Sequence, residues 1–91
     1  LYEEAKIKTA ELSEEAAQKA AEITEKARAK AEELRASAEG KSAEEAEAAD
    51  MQAQKLVDDA EVEAARVTQE AQAEADKVTE ETHREIQKLS E

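Results

Sequence analysis

The 91 residues include no cysteine, proline, tryptophan or phenylalanine, and only one each of glycine, tyrosine, methionine and histidine. Without cysteine there is no disulfide, no thiolate nucleophile and no cysteine-based zinc site. One glycine and no proline leave a β fold without the residues its turns need. Large apolar side chains are also scarce. Leu, Ile, Val and Met together number 13, too few to fill a globular core. No apolar run approaches the ~18 residues of a membrane-spanning helix, and no signal peptide is visible. Basic residues are outnumbered, 13 Lys+Arg against 25 Asp+Glu, for a net charge of −12. That charge argues against nucleic acid or anionic lipid as partner.

What the chain has in quantity is alanine (22) and glutamate (21), both good helix formers. They are arranged in a repeat of eleven. Stepping by eleven gives Leu1, Leu12, Ile23, Leu34, Glu45, Leu56, Val67, Val78 and Leu89. A second series is Ala5, Ala16, Ala27, Ala38, Ala49, Ala60, Ala71 and Thr82, and a third is Thr9, Ala20, Ala31, Ser42, Ala53, Ala64, Ala75 and Ile86. With the repeat positions lettered a to k, these are columns a, e and i. Eleven residues in three turns is 3.67 per turn, the period of a helix with a right-handed supercoil. No heptad series persists, so the expected fold is all-α: one long helix with an unbroken eleven-residue repeat, in a right-handed coiled coil. Uninterrupted, that helix would be roughly 135 Å long at about 1.5 Å per residue. The expected oligomer core is Leu12, Ile23, Leu34, Leu56, Val67, Val78 and Leu89, packed with Ala16, Ala27, Ala38, Ala49, Ala60 and Ala71.

The charges change sign midway. Column h reads Lys8, Lys19, Lys30, Lys41, then Gln52, Glu63, Glu74, Glu85, and column k reads Glu11, Glu22, Glu33, Glu44, then Lys55, Arg66, Lys77, Lys88. Columns h and k pair along one helix with or without the exchange. Between helices it matters: a parallel pair in register sets like charges together, whereas an antiparallel pair brings Lys8, Lys19 and Lys30 toward Glu85, Glu74 and Glu63. Antiparallel pairing is therefore expected, with these six residues setting orientation rather than affinity.

Residues 37–45 are the soft point. Gly40 is the sole glycine, Glu45 the sole polar member of column a, and Ser42 with Glu45 makes a capping box. Gly40 is suited to end a helix in the left-handed conformation, so a hairpin turn is the alternative here. The repeat crosses the segment in phase, which favours a continuous helix over 1–91 as one rod segment.

No catalytic, cofactor or metal site is expected, and the chain reads as non-enzymatic. His83 has no second histidine or cysteine to share a metal. The acidic stretch Glu44, Glu45, Glu47 and Asp50 lacks the calcium-loop pattern. Gly40-Lys41-Ser42 lacks the preceding glycine and strand of a phosphate loop. Paired carboxylates need a desolvated cleft to separate their pKa values, and a single-stripe helix offers none.

The runs Lys55-Leu56-Val57-Asp58-Asp59-Ala60 and Arg66-Val67-Thr68-Gln69-Glu70-Ala71-Gln72-Ala73-Glu74-Ala75-Asp76-Lys77-Val78 resemble the eleven-residue repeats of actinobacterial polar-growth coiled-coil proteins. These are the DivIVA-type scaffolds and the intermediate-filament-like proteins of the FilP and rod-shape-morphology kind. Leu1-Tyr2-Glu3-Glu4-Ala5 and Glu74-Ala75-Asp76-Lys77-Val78-Thr79-Glu80-Glu81-Thr82 are similar in style. The resemblance is compositional and spans the chain. It implies a cytoplasmic, self-associating cytoskeletal rod for cell shape or polar growth, a segment of a longer coiled coil. Its partners would be further copies of itself and other coiled-coil scaffold proteins, with no direct membrane contact from this segment. Two other families share such repeats: the ATP synthase peripheral stalk, whose subunit b is richer in arginine and nearer charge balance, and the Lys-rich desiccation proteins, which stay unfolded in water.

Overall fold

A computed structural model describes residues 2–90. Two helices account for almost all of it: α1, Tyr2–Ser37, and α2, Ala43–Ser90. They lie side by side as an antiparallel hairpin. The Cα envelope is 74 × 15 × 6 Å, so the molecule is long, two helices wide and one helix thick. A 48-residue helix rises about 72 Å, and α2 alone accounts for the length.

This corrects the expectation of one continuous helix of roughly 135 Å. The chain turns at 38–42, inside the soft point. Toward the end of α1 the hydrogen bonds tighten to a three-residue spacing. Ala38 N–H donates to the Arg35 carbonyl and Glu39 N–H to that of Ala36, both at 3.2 Å, and the Ser37 hydroxyl donates to the Leu34 carbonyl at 2.8 Å. These satisfy carbonyls that have no partner further along the helix. Gly40 then takes φ +81°, a conformation that costs an L-residue with a Cβ roughly 1–2 kcal/mol, and Lys41 N–H closes on the Ala38 carbonyl at 3.1 Å. Ser42 starts α2: its Oγ accepts the Glu45 N–H at 3.3 Å and its carbonyl accepts the Ala46 N–H at 2.9 Å. The turn has a clear driving force. A lone straight helix leaves its stripe in water, whereas a hairpin buries one half of the stripe on the other.

The helix ends follow the macrodipole. Glu3 and Glu4 open α1 and Glu44 and Glu45 open α2, while Arg35 and Lys88 occupy the last turns. Threonines inside the helices return their hydroxyls to the backbone four residues back, Thr24 to Ala20, Thr68 to Ala64, Thr79 to Ala75 and Thr82 to Val78, so they leave no polar atom stranded.

The seam between α1 and α2 is made of alanine. Among the described residues, the seven that are buried are Ala16, Ala31, Ala38, Ala53, Ala60, Ala64 and Ala75, and no polar or charged side chain is buried. Ala53 is completely covered and Ala31 nearly so. Side chains this small let the two backbones approach closely. The seam contributes little per residue, because each alanine removes only a methyl group from water. Its strength comes from its length.

Candidate functional site

Among the described residues no large side chain is fully buried, so the place to look for function is where the larger apolar residues go. Leu12, Ile23, Leu34, Leu56, Val67 and Val78 are half-buried, and so are Ala27, Ala49 and Ala71. Leu89, near the end of α2, is 75% exposed. Leu1, the first member of column a, lies outside the described residues. The seam is therefore built chiefly from columns e and i, with column a on its shoulder. Ala31, Ala53, Ala64 and Ala75 are among its most buried members. They were not among the expected core residues, although column i already carried the signal. Val57 and Thr24, next to column i around the helix, are half-buried too.

The two faces of the flat hairpin differ. On one, Leu12 of α1 and Val67 of α2 line a groove floored by Ala16 and Ala71 and edged by Lys19, Arg66 and Glu74. Nearer the turn, Leu34 and Leu56 line two adjoining hollows, edged by Lys30 and Glu33 on one side and by Gln52, Lys55 and Asp59 on the other. Column a of both helices thus opens onto the same side. The opposite face is polar and small, and its cleft is lined by Thr9, Ser13, Gln72, Ala75, Asp76 and Thr79. Toward the open end of the hairpin that face holds a shallow cleft of about 100 Å³ lined by Tyr2, Lys6, His83 and Ile86, with the Lys6 ammonium 5.6 Å from the centre of the Tyr2 ring. Ile7, Met51 and Val62 are exposed elsewhere, as scattered single residues commonly are.

The charges expected to set orientation lie around the apolar face. Lys8, Lys19, Lys30, Glu74 and Glu85 are exposed. Lys19 and Glu74 edge the same groove. Among the described residues, none of the three lysines has a carboxylate within 4 Å. Glu63 is instead held within its own helix: Arg66 donates to Glu63 and, one turn on, to Glu70. The hydrogen bond from Arg66, reinforced by its positive charge, holds the Glu63 carboxyl below its usual range, and the same contacts raise Arg66. Among the described residues, the ion pair that does cross between helices is Arg35 Nε to Asp50 Oδ1 at 2.9 Å, beside the turn. Neither residue was among the expected orientation charges. The sequence signal for it was faint, one cation and one anion flanking Gly40 at different repeat positions.

Gly40, Ser42 and Glu45, the soft point, form the turn and the start of α2. Among the described residues, no group of three His, Asp or Glu side chains converges to hold a metal ion, and no helix is long and apolar enough to cross a membrane. What the site offers chemically is a long shallow apolar groove bordered by ordered charge. No protein-family model matches the chain, and no curated protein or solved structure shows significant similarity to it.

Proposed function

We propose that the protein is a structural, non-enzymatic module that works by self-association through the face carrying column a. One observation supports this above the others: the hairpin covers its alanines and leaves Leu12, Leu34, Leu56 and Val67 half-exposed along one side. A series of aliphatic side chains on one face of a rod is a surface that gains by being covered. Further copies of the chain, and other coiled-coil scaffold proteins, are the partners this reading names.

The proposed assembly has a definite form. It is an eleven-residue-repeat coiled coil with right-handed twist and antiparallel order, forming part of a cytoplasmic cytoskeletal scaffold or filament for cell shape or polar growth. The sequence style and the elongated helical form support it.

Size-exclusion chromatography with coupled light and X-ray scattering tests the self-association. A dimer or larger species at micromolar concentration is expected. A monomer at every concentration, with a maximum dimension near that of the single hairpin, would overturn the proposal. Electron microscopy of concentrated protein tests the filament: regular polymers are expected, and discrete small oligomers alone would remove that part.

A further inference from the structure

The order of charge on the apolar face selects one partner geometry. Around a helix of this repeat, columns h, a, e and i follow one another at intervals of about 33°. The seam centres on e and i, so a sits on its shoulder and h stands at the crest of the same face. In α1 that crest is Lys8, Lys19 and Lys30, and in α2 it is Glu63, Glu74 and Glu85. The face is thus an apolar groove with a positive ridge on one side and a negative ridge on the other.

The geometry points to a second copy of this chain docked on that face, with the two hairpins related by a twofold axis along their length and both turns at the same end. This rests on the self-association reading above and specifies its architecture. The rotation sets α1 of each copy over α2 of the other, antiparallel, so the lysine crest of one meets the glutamate crest of its partner. Column k follows suit: Glu11, Glu22 and Glu33 of α1 face Lys77, Arg66 and Lys55 of α2. The other twofold axis that brings the faces together runs across the hairpin and puts the turns at opposite ends. It lays α1 on α1 and α2 on α2, setting lysine against lysine and glutamate against glutamate. Column d is acidic along α2, with Asp59, Glu70 and Glu81, and mixed along α1, with Glu4, Glu15, Lys26 and Ser37, so its net charge is negative on both. It disfavours both arrangements and does not choose between them. The favoured product is a four-helix bundle with column a of all four helices at its centre. The alanine seams join each hairpin, and opposite charges fix how the two hairpins meet.

A single cysteine at an exposed position, Glu3→Cys, carries the test, since the chain has no other. Spin labels on it are measured by double electron–electron resonance. With the turns together, the two labels lie at the same end, below about 40 Å apart given helix axes about 10 Å apart. The crosswise dimer separates them by roughly 60 Å, and an antiparallel dimer of straightened chains paired along their whole length by roughly 130 Å. A distance below 40 Å is expected, and either longer distance in a species of dimer mass overturns this geometry while leaving self-association standing. A monomer overturns both.

A charge variant gives an independent reading. Reversing Glu63, Glu74 and Glu85 to Lys moves the net charge from −12 to −6 (three changes of +2), which lowers overall repulsion. In the geometry argued here it still weakens association, by at least about tenfold at low salt. Reversing Lys8, Lys19 and Lys30 to Glu in the same chain restores it. Unchanged or tighter association of the first variant overturns the charge argument.

Discussion

Arg35 and Asp50, fifteen positions apart in sequence, meet at 2.9 Å across the two helices beside the turn. The pair closes the hairpin where the alanine seam begins. Both side chains are exposed, at 44% and 68%, so water and salt screen the attraction. Asp50→Asn is expected to destabilise the hairpin by no more than about 1 kcal/mol, and the double variant with Arg35→Gln by little more than either change alone. Chemical denaturation followed by circular dichroism at low and high salt is the check. A loss that salt does not reduce would contradict the assignment.

Gly40 carries the turn by its backbone alone. A Cβ built there meets no atom within 4 Å, so Gly40→Ala meets no clash and suffers only from φ +81°. The expected loss of hairpin stability is roughly 1–2 kcal/mol. The repeat runs through the turn in phase, so a straightened chain keeps its stripe on one face. Small-angle scattering is therefore expected to show Gly40→Ala shifted toward a longer particle, and an unchanged maximum dimension at high concentration would refute this.

Seam and groove should respond oppositely to changes of size. Ala53 is fully covered, and Ala53→Leu forces the helices apart at an expected cost of about 1–3 kcal/mol, read as a lower melting temperature of the monomeric hairpin. Leu56→Ala removes a half-exposed side chain from the groove. It should lower hairpin stability by less, roughly 1 kcal/mol, while reducing self-association in sedimentation experiments. If Leu56→Ala unfolds the hairpin and leaves association intact, the groove is not the contact.

Glu63 supplies a pH signature. Its folded-state pKa is depressed by the hydrogen bond from Arg66, so its stabilising contact is complete above the unfolded carboxylate value. The contact is lost as pH falls through the lower folded value. In a carboxyl-detected NMR titration, Glu63 is expected to titrate at lower pH in the native chain than in Arg66→Gln. Equal midpoints would mean that the pair does not form in solution. The readout is the Glu63 signal itself, because protonating the other carboxylates also relieves a net charge of −12.

Much of the helical content was legible without coordinates. Alanine and glutamate favour helix, and residues recurring every eleven must share a helix face. The residues that the structure buries, among them Ala16, Ala53 and Ala60, lie on that face. The turn was half legible. Gly40 and Ser42 are good stop and start signals, but the unbroken phase across them pointed to a straight helix. Phase is a local property and does not record whether a stripe is covered from its own chain or from another.

The amino-acid sequence by itself determined that this chain is helical, which stripe of the helix is apolar, and that the charge reverses near the middle. These follow from side-chain type and helical period. Only the tertiary structure decided that the chain doubles back at 38–42, that Ala31, Ala53, Ala64 and Ala75 fill the seam, and that Leu12, Leu34, Leu56 and Val67 open together onto one side. The physical reason is that two close-packed helices cover only part of a stripe. The alanines let the backbones approach, and at that separation the larger side chains of column a are left on the shoulder.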